Sequence, residues 1–212
     1  SLSMSYLCGE MISNYRYLEP APDLESLKNI PPLEKYSTLV SIAASKAPLI
    51  IRPMERIVGA ATLLEGAEHR LWDIPSISHT TLDFTAPLRI GLSGFEKQIA
   101  EQLKTADAQG RAFLESAMSC INSLRVWNKR YLDLLDERIM STDGEALRFY
   151  QEVRDNMSMV PEQPARTFYQ AVQSLWTIFA FLRLLGNWSG LGRLDKILGP
   201  YLKADLASGI IT

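Results

Sequence analysis

Few residues of this chain could do covalent chemistry. Its 212 residues include two histidines, His69 and His79, and two cysteines, Cys8 and Cys120. Glu68-His69 is not a zinc-helix motif and no cysteine pair has ligand spacing, so a metal site is not expected. Gly186, Gly190 and Gly192 make a glycine-rich loop, but no Gly-Lys-Ser/Thr follows and the preceding segment reads as helix, which argues against a phosphate cradle. The segment with most chemical content is Ser78-His79-Thr80-Thr81-Leu82-Asp83-Phe84, followed by Leu88, Gly91, Leu92 and Gly94. An imidazole among hydroxyls can position a substrate, although a locally bonded loop histidine is the plainer reading. Asn187 and Ser189 could likewise hydrogen-bond a substrate, a turn former being the plainer reading of Asn187. Arg193 and Asp195 bracket a loop-to-helix junction and read as structural, the arginine on backbone carbonyls and the aspartate on the amides opening the next helix.

Helices must position most of these groups. Tyr36, Leu39, Val40 and Ala43 recur at helical spacing between Leu33 and Lys46. Leu92, Phe95, Ile99 and Leu103 form a second stripe, ending near Ala108-Gln109-Gly110. Phe113, Ala117, Cys120, Leu124, Trp127, Tyr131, Leu134 and Arg138 mark one face of a long third helix. Cys120 on that face reads as an inert small hydrophobe. Arg111, Arg125, Arg130 and Arg138 read as its solvated side. Thr142 or Asp143 is placed to cap a helix over Glu145 to Asn156, closed by Pro161 and Pro164. Ala171 to Leu185 is apolar around most of its circumference and predicts a buried helix, too short and too interrupted to span a bilayer. Lys196 to Ala207 is a further helix, with Gly209 turning the chain beyond it. Strands are expected at Leu49-Ile50-Ile51 and at Arg56 to Leu64, and a loop from Trp72 to Phe84.

Composition narrows the partners. Lys and Arg total 22 against 24 for Asp and Glu, a formal charge of −2, so no global field calls for nucleic acid or an anionic membrane. Two cysteines are too few for a disulfide framework and fit a reducing cytosol. The first residues lack the basic start and unbroken apolar run of a signal peptide. Pro20, Pro22, Pro31 and Pro32 separate an arm and connection, residues 1–32, from a body, residues 33–212. Ile210-Ile211-Thr212 carries a helix-initiation signal, which predicts that the sequence is a piece of a longer protein.

Several segments, in order, resemble the glycyl radical enzymes, the family of pyruvate formate-lyase, glycerol dehydratase and choline trimethylamine-lyase. They are Arg56-Ile57-Val58-Gly59 after Pro53 and Glu55, the His79-to-Gly94 set, and Thr167-Phe168-Tyr169-Gln170-Ala171 with Gln173. Gly192-Arg193-Leu194-Asp195, Pro200-Tyr201, Asp205 and Gly209 complete the match. The sequence departs from the pattern at Leu82, where the dehydratase-like branch usually has proline, at Lys196, where glutamine is usual, and at Leu202, where an aromatic is common.

The resemblance implies a mainly α fold with a few short strands, the N-terminal part of the family's ten-stranded α/β barrel. It places His79, Asn187 and Ser189 near a substrate pocket and makes Asp83, Gly192, Arg193 and Asp195 structural. It also implies a parent that is an anaerobic cytoplasmic lyase, dehydratase or formate acetyltransferase acting on a small molecule. That parent would carry a glycyl radical installed by a partner activase using S-adenosylmethionine and an iron–sulfur cluster. The family's radical glycine and thiyl cysteine have no counterpart among these residues, so this chain alone is expected to be inactive and to carry no cofactor. A homodimer is open; nucleic acid and membrane partners are not expected. The competing reading is a non-catalytic helical interaction module that keeps the scaffold without the radical machinery.

Overall fold

The computed structural model describes residues 25–47, 49–59, 78–184 and 187–211, apart from the side chains of Ser78, His79 and Trp188. Within these residues the chain is mostly helical, with two short strands. Helix α1 (Pro32–Lys46) begins on Pro32, whose missing N–H costs nothing in a first turn. Strand β1 (Ser78–Thr81) leads into α2 (Thr85–Leu103), followed by the 33-residue α3 (Ala108–Met140) and α4 (Gly144–Met159). Helix α5 (Phe168–Leu184) runs into β2 (Trp188–Gly190), and α6 (Leu194–Ala207) closes the order. No described helix is long and apolar enough to cross a membrane.

The main core is where α1, α3, α4 and α5 meet. Leu39, Val40, Ala43 and Ala44 of α1 face Leu124, Trp127, Tyr131 and Leu135 of α3, with Val153 and Met157 of α4 and Phe181 of α5 completing the packing. Trp127 is fully buried, edge-on to Tyr131 at 5.1 Å and tilted against Phe181 at 5.5 Å. As expected of its apolar circumference, α5 has no exposed residue. A smaller core of Phe84, Leu88, Ala171 and Leu175 lies against Leu191, Ile197, Leu198 and Tyr201, and it underpins the two strands.

Several expectations are corrected. The long helix turns its apolar face slightly from the expected register: Phe113 is exposed, while Leu114 and Leu135 are buried. Its arginines are not simply a solvated side. Arg125 bonds Glu96 and Glu162 together, and Arg130 donates to the carbonyls of Ala44 and Ala47, satisfying the open end of α1. No strand forms at Leu49-Ile51 or at Arg56 to Gly59; the rest of that second segment lies outside the described residues. Ile51 and Val58 are buried there all the same. Strands form instead in the expected loop, at Ser78–Thr81, and across the expected turn at Asn187-Trp188-Ser189.

Helix α2 is broken at Gly91, which has φ 64° and ψ 177°. The break lets a second segment bond to it: Leu92 N–H donates to Pro161 O at 2.9 Å, Ser93 N–H to Glu162 O at 3.1 Å, and Ala165 N–H to Leu88 O at 2.9 Å. Three backbone bonds thereby tie the α4–α5 connection to the element that follows β1.

Candidate substrate wall

Strands β1 and β2 pair in parallel, Ser78 opposite Trp188 and Thr81 opposite Gly190, with an irregularity in register between. This pairing sets the strand that carries His79 beside the segment that carries Asn187 and Ser189. The direction of the His79 side chain lies outside the described residues, as do His69, Cys8 and the arm from Ser1 to Leu24. Asn187 and Ser189 are both buried, at 8% exposure, and the Ser189 Oγ has no hydrogen-bond partner among the described residues. An unsatisfied buried hydroxyl costs about 1–3 kcal/mol, so its position asks for an explanation.

Both strands are held from their ends. Asp83 Oδ1 accepts from the N–H groups of Thr85 at 3.0 Å and Ala86 at 3.3 Å, capping the start of α2 immediately after β1. Asn187 N–H donates to Leu182 O at 3.2 Å, which turns the chain off α5 and into β2. Gly192, at φ 70°, lies so close to β1 that a Cβ there would meet Thr81 Cγ2 at 2.8 Å. A side chain at 192 would push the strands apart.

Arg193 and Asp195 behave differently from expectation. The guanidinium does not reach backbone carbonyls; it forms a two-pronged pair with Asp195, Nε to Oδ1 at 2.8 Å and NH2 to Oδ2 at 2.6 Å. This bonding holds the Asp195 carboxyl below its ordinary range, helped by the Lys196 and Asp195 amides at the opening of α6. Both side chains are well exposed, so the pair shapes the loop and adds little stability.

Two residues matter more than their sequence context suggested. Gln173, fully buried in α5, accepts from Val58 N–H at 3.0 Å and donates to Val58 O at 2.6 Å, pairing with that backbone as a neighbouring strand would. Asp205, 3% exposed, accepts from Phe168 N–H at 2.7 Å and so caps α5 from α6. A glutamine or aspartate within an apolar helical stretch was the available signal for both.

The Cys120 thiol is pushed up to about 11 by burial and stays protonated near neutral pH. A separate apolar cavity of about 690 Å³ lies between α4, α5 and the end of α6, lined among others by Glu152, Asn156, Tyr169 and Ile211. It does not include Asn187 or Ser189.

The described residues form a helical body that holds two short parallel strands, and comparison with known proteins gives the family. A profile described as pyruvate formate lyase-like matches residues 54–212, and the chain belongs to that family. Isethionate sulfite-lyase of Nitratidesulfovibrio vulgaris is 30% identical over 141 residues, covering 61% of this chain and 17% of that protein. A solved structure titled for 1,2-propanediol dehydration in Roseburia inulinivorans superposes on all of this chain with a TM-score of 0.80 at 18% identity, using 37% of its own length. A glycyl radical enzyme from Archaeoglobus fulgidus superposes on 89% of this chain, TM-score 0.74 and 19% identity, over 34% of its length. The resemblance to glycyl radical enzymes therefore holds, and the chain spans about a sixth of the length of the first curated relatives it matches.

Proposed function

We propose that this chain is the N-terminal portion of a glycyl radical enzyme that breaks a C–C, C–O or C–N bond of a small molecule, and that the β1–β2 pair forms one wall of its substrate pocket. The observation that carries the reading is the pairing of the His79 strand with the segment bearing Asn187 and the unpartnered Ser189 hydroxyl. In the whole enzyme these residues bind and orient. Asn187 and Ser189 are uncharged, so this wall suits a hydroxyl-bearing substrate better than an isolated anion. That favours a diol dehydratase-like reaction over formate acetyltransferase chemistry, and it accords with the structural likeness to a protein of 1,2-propanediol dehydration.

A glycyl radical, once installed, supplies hydrogen abstraction through a cysteine. No residue of this chain matches either group, so its part in the reaction is positioning and the exclusion of water. The barrel that encloses the pocket, an activase using S-adenosylmethionine and an iron–sulfur cluster, and a cytoplasmic anaerobic setting belong to this proposal.

The test has two arms. Incubated with an activase and S-adenosylmethionine under anaerobic conditions, this chain alone is expected to show no glycine-centred doublet by electron paramagnetic resonance. The product of the reading frame continued past the Thr212 codon is expected to show that doublet and to turn over a small hydroxylated substrate. A doublet and turnover from the 212-residue chain would overturn the division of labour, and a stop directly after Thr212 would favour a helical interaction module.

A further inference from the structure

We infer that Thr81, an exposed residue at the end of β1, is a positioning residue that locks the register of the β1–β2 pair and so keeps the Ser189 hydroxyl on the inward side of the substrate wall; the inference rests on the pocket reading above. The pair is weakly specified by itself. Its strands are four and three residues long, and between the pairs Ser78–Trp188 and Thr81–Gly190 β1 uses one residue more than β2. An extra residue of this kind is a bulge, which re-aims side chains and leaves the register to be fixed by something else. Register matters here because a slip of one residue sends every side chain of a strand to the opposite face. Ser189 is buried while its neighbour Gly190 is exposed, so a slip would turn the hydroxyl outward.

Thr81 supplies the lock with both branches of its side chain. A Cβ on Gly190 would stand 3.3 Å from Thr81 Oγ1, and one on Gly192 would stand 2.8 Å from Thr81 Cγ2. The hydroxyl therefore sits over one glycine and the methyl over the other. A β-branched side chain is stiff about χ1, so it holds both contacts at once. Slipping by one residue would bring Ser189 or Leu191 opposite Thr81, each with a Cβ where Gly190 has none. The group delivered by the correct register is the Ser189 Oγ, buried and without a hydrogen-bond partner among the described residues, which leaves it for the hydroxyl of a small neutral diol. Thr81 touches no substrate; it acts through Ser189.

The experiment uses the ¹⁵N-labelled 212-residue chain and propane-1,2-diol as the probe. Thr81→Ala removes both γ-atoms, whereas Thr81→Val keeps two branches of nearly the same shape. Thr81→Ala is expected to move the amide resonances of residues 188–192 without ligand and to weaken diol binding about 3- to 10-fold, the worth of one hydrogen bond from a displaced Ser189 hydroxyl. Thr81→Val is expected to bind as the unsubstituted chain does, because shape and not hydrogen bonding makes the lock. Since Thr81 is exposed, the urea midpoint should stay near that of the unsubstituted chain in both variants. Ser189→Ala should weaken binding no further in the Thr81→Ala background. Unmoved amides with unchanged affinity in Thr81→Ala, Thr81→Val as weak as Thr81→Ala, a large fall in the urea midpoint, or losses that add with Ser189→Ala would overturn the lock while leaving the pocket standing. Absence of any saturable diol effect at residues 187–190 in the unsubstituted chain would defeat the pocket reading and this inference with it.

Discussion

Gly91→Ala is expected to destabilise the chain by about 3–5 kcal/mol, from backbone strain of roughly 1–3 kcal/mol together with a steric term. The backbone at φ 64° and ψ 177° is one that essentially only glycine adopts. An added Cβ would also stand 2.4 Å from Glu162 O and 2.6 Å from the Gln163 carbonyl carbon, both rigid backbone atoms. Relief requires the 161–165 segment to move away, and that segment supplies the bonds to Leu92, Ser93 and Leu88. Denaturant unfolding measures the effect; a loss under about 1 kcal/mol would show that this junction yields more easily than close packing allows.

Gln173→Leu is expected to cost about 2–4 kcal/mol, although leucine has similar volume and the site is fully buried. The loss comes from Val58, whose N–H and C=O would both remain buried without the amide that now satisfies them. Gln173→Glu separates this account from a simple packing effect. A carboxylate can still accept from Val58 N–H but faces the Val58 carbonyl with a second oxygen, so it should destabilise about as much as leucine. Amide hydrogen exchange at Val58 should accelerate in both variants. If Gln173→Glu proved as stable as the unsubstituted chain, the two-sided pairing with Val58 would be wrong.

The helices were legible in the sequence because their apolar stripes are long and buried against one another. The spacing from Tyr36 to Ala43 gave α1 almost to the residue, and the apolar circumference of Ala171 to Leu185 gave the buried α5. Strands were not legible. Ser78-His79-Thr80-Thr81 is four residues long and has no apolar alternation, so only its pairing with Trp188–Gly190, more than 100 residues away in sequence, makes it a strand. The β-branched residues at 49–51 and 56–58 instead serve an irregular buried segment, with Gln173 taking the place of a partner strand at Val58. The solvated reading of Arg125 and Arg130 failed because their partners, Glu96, Glu162 and the carbonyls of α1, lie on other elements.

The candidate site was partly legible for the same reason. Asn187, Ser189 and the His79 segment came from an ordered motif resemblance, and the fold sets their strands side by side. The position of Gly192 against Thr81 explains why the glycine-rich loop accompanies the histidine segment, a link that spacing along the chain does not reveal. Arg193 and Asp195, expected to bond backbone groups, pair with each other instead.

The most direct measurement of the substrate-wall claim is a chemical-shift map of the ¹⁵N-labelled chain titrated with propane-1,2-diol. The account predicts saturable shifts concentrated at residues 78–81 and 187–190, with Ser189→Ala reducing the affinity by the few-fold worth of one hydrogen bond, about 2- to 10-fold. Shifts confined to the cavity around Glu152, Tyr169 and Ile211, or binding indifferent to Ser189→Ala, would contradict it.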